Sequence, residues 1–277
     1  MKLSIVTAVC GAIDITEQFM HHTVGRCAVR PELIVVSNGN TPKEEAKLQE
    51  LLDEFTARWA HGGEFRLISL PEPVGSTKAF NAGVALATGD VVALLHNDLL
   101  VREGDWDQKV LGFFEANPQT GVCGFHGAQA LGSDKLYTAA YDMRQLARTD
   151  NYSNLEDAED HGYRRGTPME VVTLDGMSLI TRLQVFREIG GLEEKYPHHM
   201  YDHDLCLTAR SQGYTNYMLP ISAKHVSGQT ANATRYNDHL KEIGLGADAD
   251  VHRQAHVDFY EKWKGTGQLP ARVKRTS

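Results

Sequence analysis

The sequence predicts an α/β fold built on a mostly parallel, doubly wound central sheet flanked by helices, in a single domain. Three observations carry that expectation. Short apolar runs rich in β-branched residues recur at Leu3–Val9, Leu33–Val36, Phe65–Leu70 and Val91–Leu95. Stretches with helix-start chemistry separate them, the alternation expected of parallel strands joined by helical crossovers. Polar clusters at 37–40 and 96–98 close two of the runs, at the carboxyl ends where such sheets take their ligands.

Leu3–Val9 has the pattern of a strand buried on both faces. Ile13–Val29 reads as a helix with Asp14 or Thr16 near its start. Leu33–Val36 is a second buried strand, ended by Ser37-Asn38-Gly39-Asn40, residues that favour a turn. Thr41-Pro42-Lys43-Glu44-Glu45 opens a helix with a capping Thr, a Pro in the first turn and acids beside the positive end of the helix dipole; it runs to about Trp59. Phe65–Leu70 is a third strand, stopped by Pro71 and Pro73, and Ser76 or Thr77 starts a helix through Ala87. Gly89-Asp90 turns into the fourth strand, Val91–Leu95, which ends in His96-Asn97-Asp98. A helix over 104–116 and a strand at Val122–Phe125 follow.

From His126 to Arg165 the periodicity fades into a polar stretch with several tyrosines, read as a long loop that either borders the acceptor and moves on binding or is an insertion with no role. Beyond it come a strand at Glu170–Thr173, helices near Arg182–Ile189 and Asp204–Gln212, and closing helices near 234–243 and 249–264. No repeat or linker divides the chain. Residues 1–226 form the α/β domain, and 227–277 a helical extension expected to pack on it.

The chain has 277 residues, 42% hydrophobic and 23% charged, enough to bury a full core without staples. Its net charge of −8 argues against a protein that grips a phosphate backbone, so a nucleic-acid partner is not expected. Cys10, Cys27, Cys123 and Cys206 show no metal-ligand spacing and read as free thiols in a reducing compartment. No apolar run has the length of a membrane span, and no secretory leader is visible, so a cytoplasmic location is expected.

Three places could carry chemistry. Asp98, at a strand end facing the ligand crevice, is placed to hold Mg²⁺ or Mn²⁺ on a substrate diphosphate, or merely to cap the next turn. In Tyr201-Asp202-His203-Asp204-Leu205, a helix starting near Asp202 sends its two acids in different directions. One can act as general base towards an acceptor hydroxyl while the other, Asp204, caps the helix amides; equally, both could cap. His225 closes a short apolar stretch and could be structural or a ligand. Asp175-Gly176 follows a strand and by itself is a turn.

In order and spacing these pieces resemble the family-2 glycosyltransferases with the GT-A fold. The matching segments are Leu33–Asn40, Lys78–Asp90 with its Asn81-Ala82-Gly83, Val91–Asp98, Leu174-Asp175-Gly176, Ile189-Gly190-Gly191-Leu192-Glu193, Asp202–Arg210, Gly213-Tyr214 and His225. The resemblance covers about residues 3–226 and implies an inverting, metal-dependent transfer from a nucleotide-sugar donor to the hydroxyl of a glycan or other acceptor. It implies that Thr7, Val9, Ser37, Asn38, Asn81 and Asn97 lie on the donor side, and that Asp98 and His225 hold the divalent metal, Mn²⁺ or Mg²⁺. It places Asp175 and Gly176 on the sugar or acceptor side and makes Asp202 the base. Three positions depart from the family pattern: Ser37 stands where Asp is usual, 96–98 retain one acid, and Tyr201 replaces a Glu. The alternatives are a nucleotidyltransferase on a related sheet, against which no basic Gly-rich phosphate loop is present, and a catalytically inactive nucleotide- or glycan-binding protein, which the thinned acidic cluster would suit.

Overall fold

The computed structural model describes residues 1–58, 64–132, 166–226, 234–269 and 271–273, and the backbone of 148–153. In chain order the elements are β1 (Leu3–Val9), α1 (Ile13–His22), β2 (Glu32–Asn38), α2 (Pro42–Arg58), β3 (Phe65–Leu70), α3 (Ser76–Val84), β4 (Val91–Leu95), β5 (Leu99–Val101), α4 (Trp106–Ala116), β6 (Thr120–Gly124) and β7 (His126–Leu131). There follow β8 (Arg148–Ser153), β9 (Met169–Val171), β10 (Thr173–Leu174), β11 (Ser178–Arg182), α5 (Leu183–Glu188), α6 (Tyr201–Ser211), β12 (Thr215–Met218), β13 (Ala223–His225), α7 (Thr234–Glu242), α8 (Asp248–Trp263) and β14 (Ala271–Arg272).

The main sheet has the order β3-β2-β1-β4-β11-β6-β12-β9. Strands β3, β2, β1 and β4 are mutually parallel, β11 and β9 run against their neighbours, and β12 is parallel to β6. The expected mostly parallel sheet is therefore present. Its central strands alternate between two cores. Ile5, Leu33, Val35, Ala93 and Leu95 pack with Phe19 of α1, Leu52 of α2 and Trp106 of α4. Their neighbours Val6, Ile34, Val36, Val92 and Leu94 pack with Phe80 of α3, Phe186 of α5 and Leu205 of α6. Successive side chains of a strand point to opposite faces, so helices on both faces demand the near-continuous apolar runs seen in the sequence. On Gly83 a Cβ would overlap Val6 Cγ1 and sit 3.0 Å from Val36 Cγ2, so α3 lies directly on β1 and β2.

The structure departs from the sequence expectations where tertiary bonds decide. The helix expected over Ile13–Val29 ends at His22, and a single 3₁₀ turn follows at Val24–Arg26. Between them Thr23 is buried and spends its bonds on distant partners. Its hydroxyl donates to Leu99 O (2.6 Å) and accepts from Val101 N (3.1 Å), and its carbonyl accepts from Trp106 Nε1 (2.9 Å). The segment expected to open as a loop at His126 begins with β7, which pairs with β8, β10 and β14 in a second sheet. The rest of that expected loop, 133–147 and 154–165, lies outside the described residues. Strand β11 was not expected at all, because its short run directly follows a Gly turn; the sheet accepts it between β4 and β6.

The expected cap at Asp204 is also corrected. Helix α6 starts at Tyr201 after Met200, whose φ is +66°, and no side chain caps it. Both acids lie inside the helix. Asp204 is buried and accepts from Lys262 Nζ and Trp263 Nε1, each at 2.8 Å, which ties α8 to α6. At the other end of the 234–263 segment, Arg235 of α7 donates to Gly39 O (3.1 Å) and pairs with Glu44 of α2 at 2.9 Å. Among the described residues no helix is long and apolar enough to cross a membrane.

The Glu44 contact has a pH signature. Burial pushes its carboxyl up, but the Arg235 hydrogen bond and those from the Thr41 amide and hydroxyl outweigh it and hold the group at about 2. A depressed carboxyl adds stability that is complete above its unfolded value and is lost as pH falls through the folded one. Glu44→Gln is therefore expected to make the acid limb of a stability–pH profile shallower between about pH 4.5 and 2, read by urea unfolding. An acid limb unchanged by the substitution would count against this contact.

Candidate active site

The site begins where β4 ends. His96 to Asp98 form the turn into β5, and β5 pairs antiparallel with β13, setting Leu99 opposite His225. Val226 N donates to Asp98 O (3.1 Å), continuing the pairing past the strand end. This register carries His225 to Asp98, with Nε2 3.2 Å from Oδ1. His96 joins them: the three residues each present a ligand atom within 4.8 Å of the others. Burial pulls the Asp98 carboxyl up, but the hydrogen bond and charge of His225 outweigh it and leave the group below its ordinary range. Burial, and then the nearby His225, lower His96, which keeps its imidazole neutral at neutral pH.

The second half of the site meets the first through Tyr201. His96 Nε2 lies 2.9 Å from Tyr201 Oη, and Phe80 stacks parallel to the His96 ring at 6.3 Å. Tyr201 Oη donates to Gly176 O (3.4 Å), in the turn between β10 and β11. Gly176 N in turn donates to Asp202 Oδ2 (2.9 Å). The other oxygen of Asp202 accepts from His203 N (2.8 Å) and lies 2.7 Å from His203 Nδ1. Burial raises the Asp202 carboxyl; the charge and hydrogen bond of His203 overcome that and the opposing charge of Asp175, so the net position is below the ordinary range. Asp175 holds the turn itself, with Ser178 N donating to its carbonyl (3.2 Å) and its own N–H donating to His126 O (3.1 Å).

The residues expected on the donor side occupy the carboxyl ends of β1 and β2. Thr7, Val9, Ser37 and Asn38 are all buried there. Asn40 clasps the two strand ends, donating to Val9 O (2.8 Å) and Ser37 Oγ (3.0 Å) while accepting from Gly11 N (2.6 Å). Ser37 Oγ donates to Glu45 (2.7 Å), and Asn38 Oδ1 accepts from Val74 N (2.9 Å). The Thr7 hydroxyl has no hydrogen-bond partner among the described residues. Two expected donor residues have their side-chain amides engaged by the protein. Asn97 donates to Thr16 Oγ1 (2.9 Å), and Asn81 brackets the 190–194 turn, bonding both Leu192 N (3.1 Å) and Leu192 O (2.9 Å).

The structure thus gathers Asp98 and His225 on one side and Asp175, Gly176 and Asp202 on the other. It adds two residues that had not been singled out, His96 and His203, and brings in Tyr201, which stood out only as a departure from the family pattern. The only signal for His96 was its place in a polar cluster at a strand end; His203 had none beyond adjacency to Asp202.

The family model for glycosyl transferase family 2 matches residues 4–172. The chain belongs to that family. Among curated relatives, an uncharacterized protein y4gI of Sinorhizobium fredii is 27% identical over 193 residues, 68% of this chain and 20% of the relative. The pre-mycofactocin glycosyltransferase of Mycobacterium tuberculosis is 27% identical over 177 residues, 63% of this chain and 33% of the relative. The chain therefore spans about a fifth to a third of the length of these relatives. Solved structures share its fold, among them the following two. The mannosyltransferase PcManGT from Pyrobaculum calidifontis, in complex with GDP-Man and Mn²⁺, aligns with TM-score 0.57 and 13% identity over 95% of this chain and 71% of that one. GalNAc-T7 with UDP, GalNAc and Mn²⁺ aligns with TM-score 0.60 and 12% identity over 88% of this chain and 48% of that one. The architecture of this family-2 chain is the GT-A fold.

The close approach at Gly176 gives a direct test of the site's packing. A Cβ there would lie 2.5 Å from Tyr201 Oη and 3.4 Å from Asp202 Oδ2. Gly176→Ala must displace Tyr201, which His96 also holds. A loss of about 1–3 kcal/mol in urea-measured stability is expected, the usual cost of overpacking. A change below about 0.5 kcal/mol would show that Tyr201 is free to move.

Proposed function

We propose that this chain is an inverting, metal-dependent glycosyltransferase that moves a sugar from a nucleotide-sugar to an acceptor hydroxyl. The observation that carries the proposal is the pairing of two carboxylates across one short bridge. Asp98 sits with His225 and His96, while Asp202 is clamped by Gly176 N–H and His203; the bridge between them is His96–Tyr201–Gly176.

The donor's nucleoside lies along the carboxyl ends of β1 and β2, around Thr7, Val9, Ser37 and Asn38. The unpartnered, buried Thr7 hydroxyl supports a ligand there. Asn81 and Asn97 act on the donor side through the 190–194 turn and α1 that they hold. A carboxylate and two imidazoles converging within 4.8 Å fit a divalent cation, and the mixed nitrogen and oxygen set favours Mn²⁺ over Mg²⁺. When bound, the cation offsets negative charge developing on the leaving nucleoside diphosphate. The complexes of the two solved structures, GDP-Man with Mn²⁺ and UDP with GalNAc and Mn²⁺, support both the donor class and the metal.

Asp202 is the general base. Its depressed carboxyl is ionised at neutral pH, and the hydrogen bonds to both oxygens fix its direction. It takes the acceptor hydroxyl's proton as that oxygen attacks the anomeric carbon from the side opposite the departing diphosphate, which inverts the centre. Asp175 and Gly176 line the acceptor side, a glycan or another hydroxyl-bearing molecule. The four cysteines are free thiols, which supports a cytoplasmic setting.

Release of nucleoside diphosphate from a panel of nucleotide-sugars with Mn²⁺ present tests the activity; release of pyrophosphate instead would indicate nucleotidyl transfer. Asp202→Asn should lower turnover by roughly 10²–10⁴-fold with donor affinity unchanged, because the base acts on the acceptor. Near-native turnover in that variant would place the base elsewhere. Asp98→Ala should abolish turnover and leave the circular dichroism spectrum intact, and His225→Ala should weaken it more mildly. Full activity of Asp98→Ala in metal-free buffer would refute the metal assignment.

A further inference from the structure

A second set of ligating side chains joins the loop that leads into α6 to the start of α8. His198, His199 and Asp248 each present a ligand atom within 4.8 Å of the others. His199 Nε2 is 2.9 Å from Asp248 Oδ1. The rings of His198 and His199 are 4.8 Å apart at 76°. His252, one turn along α8 from Asp248, stacks on His199 at 4.2 Å, and its Nε2 is 3.0 Å from His256 Nε2.

Three imidazoles, His198, His199 and His252, lie against one another, with His199 also on the Asp248 carboxylate. An imidazole nitrogen offers a lone pair to a metal, and two imidazoles with a carboxylate form a nitrogen–oxygen set suited to Zn²⁺. Bonds of about 2.0–2.1 Å put tetrahedral ligand atoms about 3.3 Å apart, close to the 2.9 Å already separating His199 and Asp248. Ser76 Oγ, 2.6 Å from His198 Nδ1, orients that ring as an outer-shell partner would.

We propose that His198, His199 and Asp248 bind a second divalent cation of the zinc class, with His252 alongside, and that this cation pins the start of α8 to the loop entering α6. It shares no ligand with the cation assigned to Asp98 and His225. Its place is structural. It joins the closing helical segment to the helix that carries Asp202, the two elements also held further along by Asp204 with Lys262 and Trp263. The proposal does not depend on the transferase activity.

The test uses the full chain stripped with EDTA and titrated with Zn²⁺ alone, without nucleotide. Bound zinc is counted by mass spectrometry after gel filtration, and melting temperature is followed in parallel. Wild type and Asp98→Ala are both expected to retain a zinc equivalent and to melt higher with Zn²⁺. His199→Ala and Asp248→Asn are expected to bind that equivalent at least tenfold more weakly and to lose the shift. Asp248→Asn retains a side-chain oxygen for the His199 hydrogen bond, so its metal-free circular dichroism should match wild type. Co²⁺ substituted for Zn²⁺ in Asp98→Ala should give the visible absorption of a tetrahedral site. Zinc lost in Asp98→Ala but kept in His199→Ala and Asp248→Asn would overturn the proposal, as would a wild type that retains no zinc.

Discussion

The pairing of Leu99–Val101 with Ala223–His225 is the constraint on which the site depends. The register Leu99↔His225, Leu100↔Lys224 and Val101↔Ala223 is the means by which a residue near the end of the domain reaches the end of β4. Side chains alternate along a strand, so a slip of one residue would turn His225 to the opposite face and leave Asp98 without its partner. Bonds beyond the strands hold the register. Val226 N reaches Asp98 O, Arg102 N reaches Ser222 O, and Thr23 grips both ends of β5. The break in the first helix at Thr23 thus belongs to the same device that brings His225 to Asp98.

From that anchor the rest of the site follows by contact. His96 is fixed because β4 feeds it directly into the turn, and it hands the geometry to Tyr201 and so to the Gly176 turn. Gly176 can lie against Tyr201 only because it has no side chain. The close approach brings its N–H to Asp202, whose carboxyl the charge and hydrogen bonds of His203 hold below its ordinary range in spite of burial. Asp98 and Asp202 are therefore held by separate partners, His225 and His203, each of which outweighs the upward pull of burial.

The closing helices are integrated at their charged ends. Asp204 sits under Lys262 and Trp263, and Glu44 under Arg235, so α8 is tied to α6 and α7 to α2. Residues on one helix that look interchangeable from the sequence are separated by these partners. Asp202 faces the Gly176 turn, and Asp204, two residues on, faces the protein interior.

Much of this was legible from the chain alone. The apolar runs of β1 to β4 and the Thr-Pro-Lys-Glu-Glu start of α2 are local signals, since burial on both sheet faces and the satisfaction of helix amides impose them residue by residue. The order of motifs from Leu33 to His225 marked the family and named Asp98, Asp202 and His225. What the chain alone left open was every decision made by a distant partner: the end of α1 at Thr23, the insertion of β11 between β4 and β6, the interior role of Asp204, and the entry of His96, Tyr201 and His203 into the site. Periodicity and capping report on the nearest few residues, whereas these positions are set by hydrogen bonds and close contacts to residues tens of positions away, and only the folded sheet brings those partners within reach.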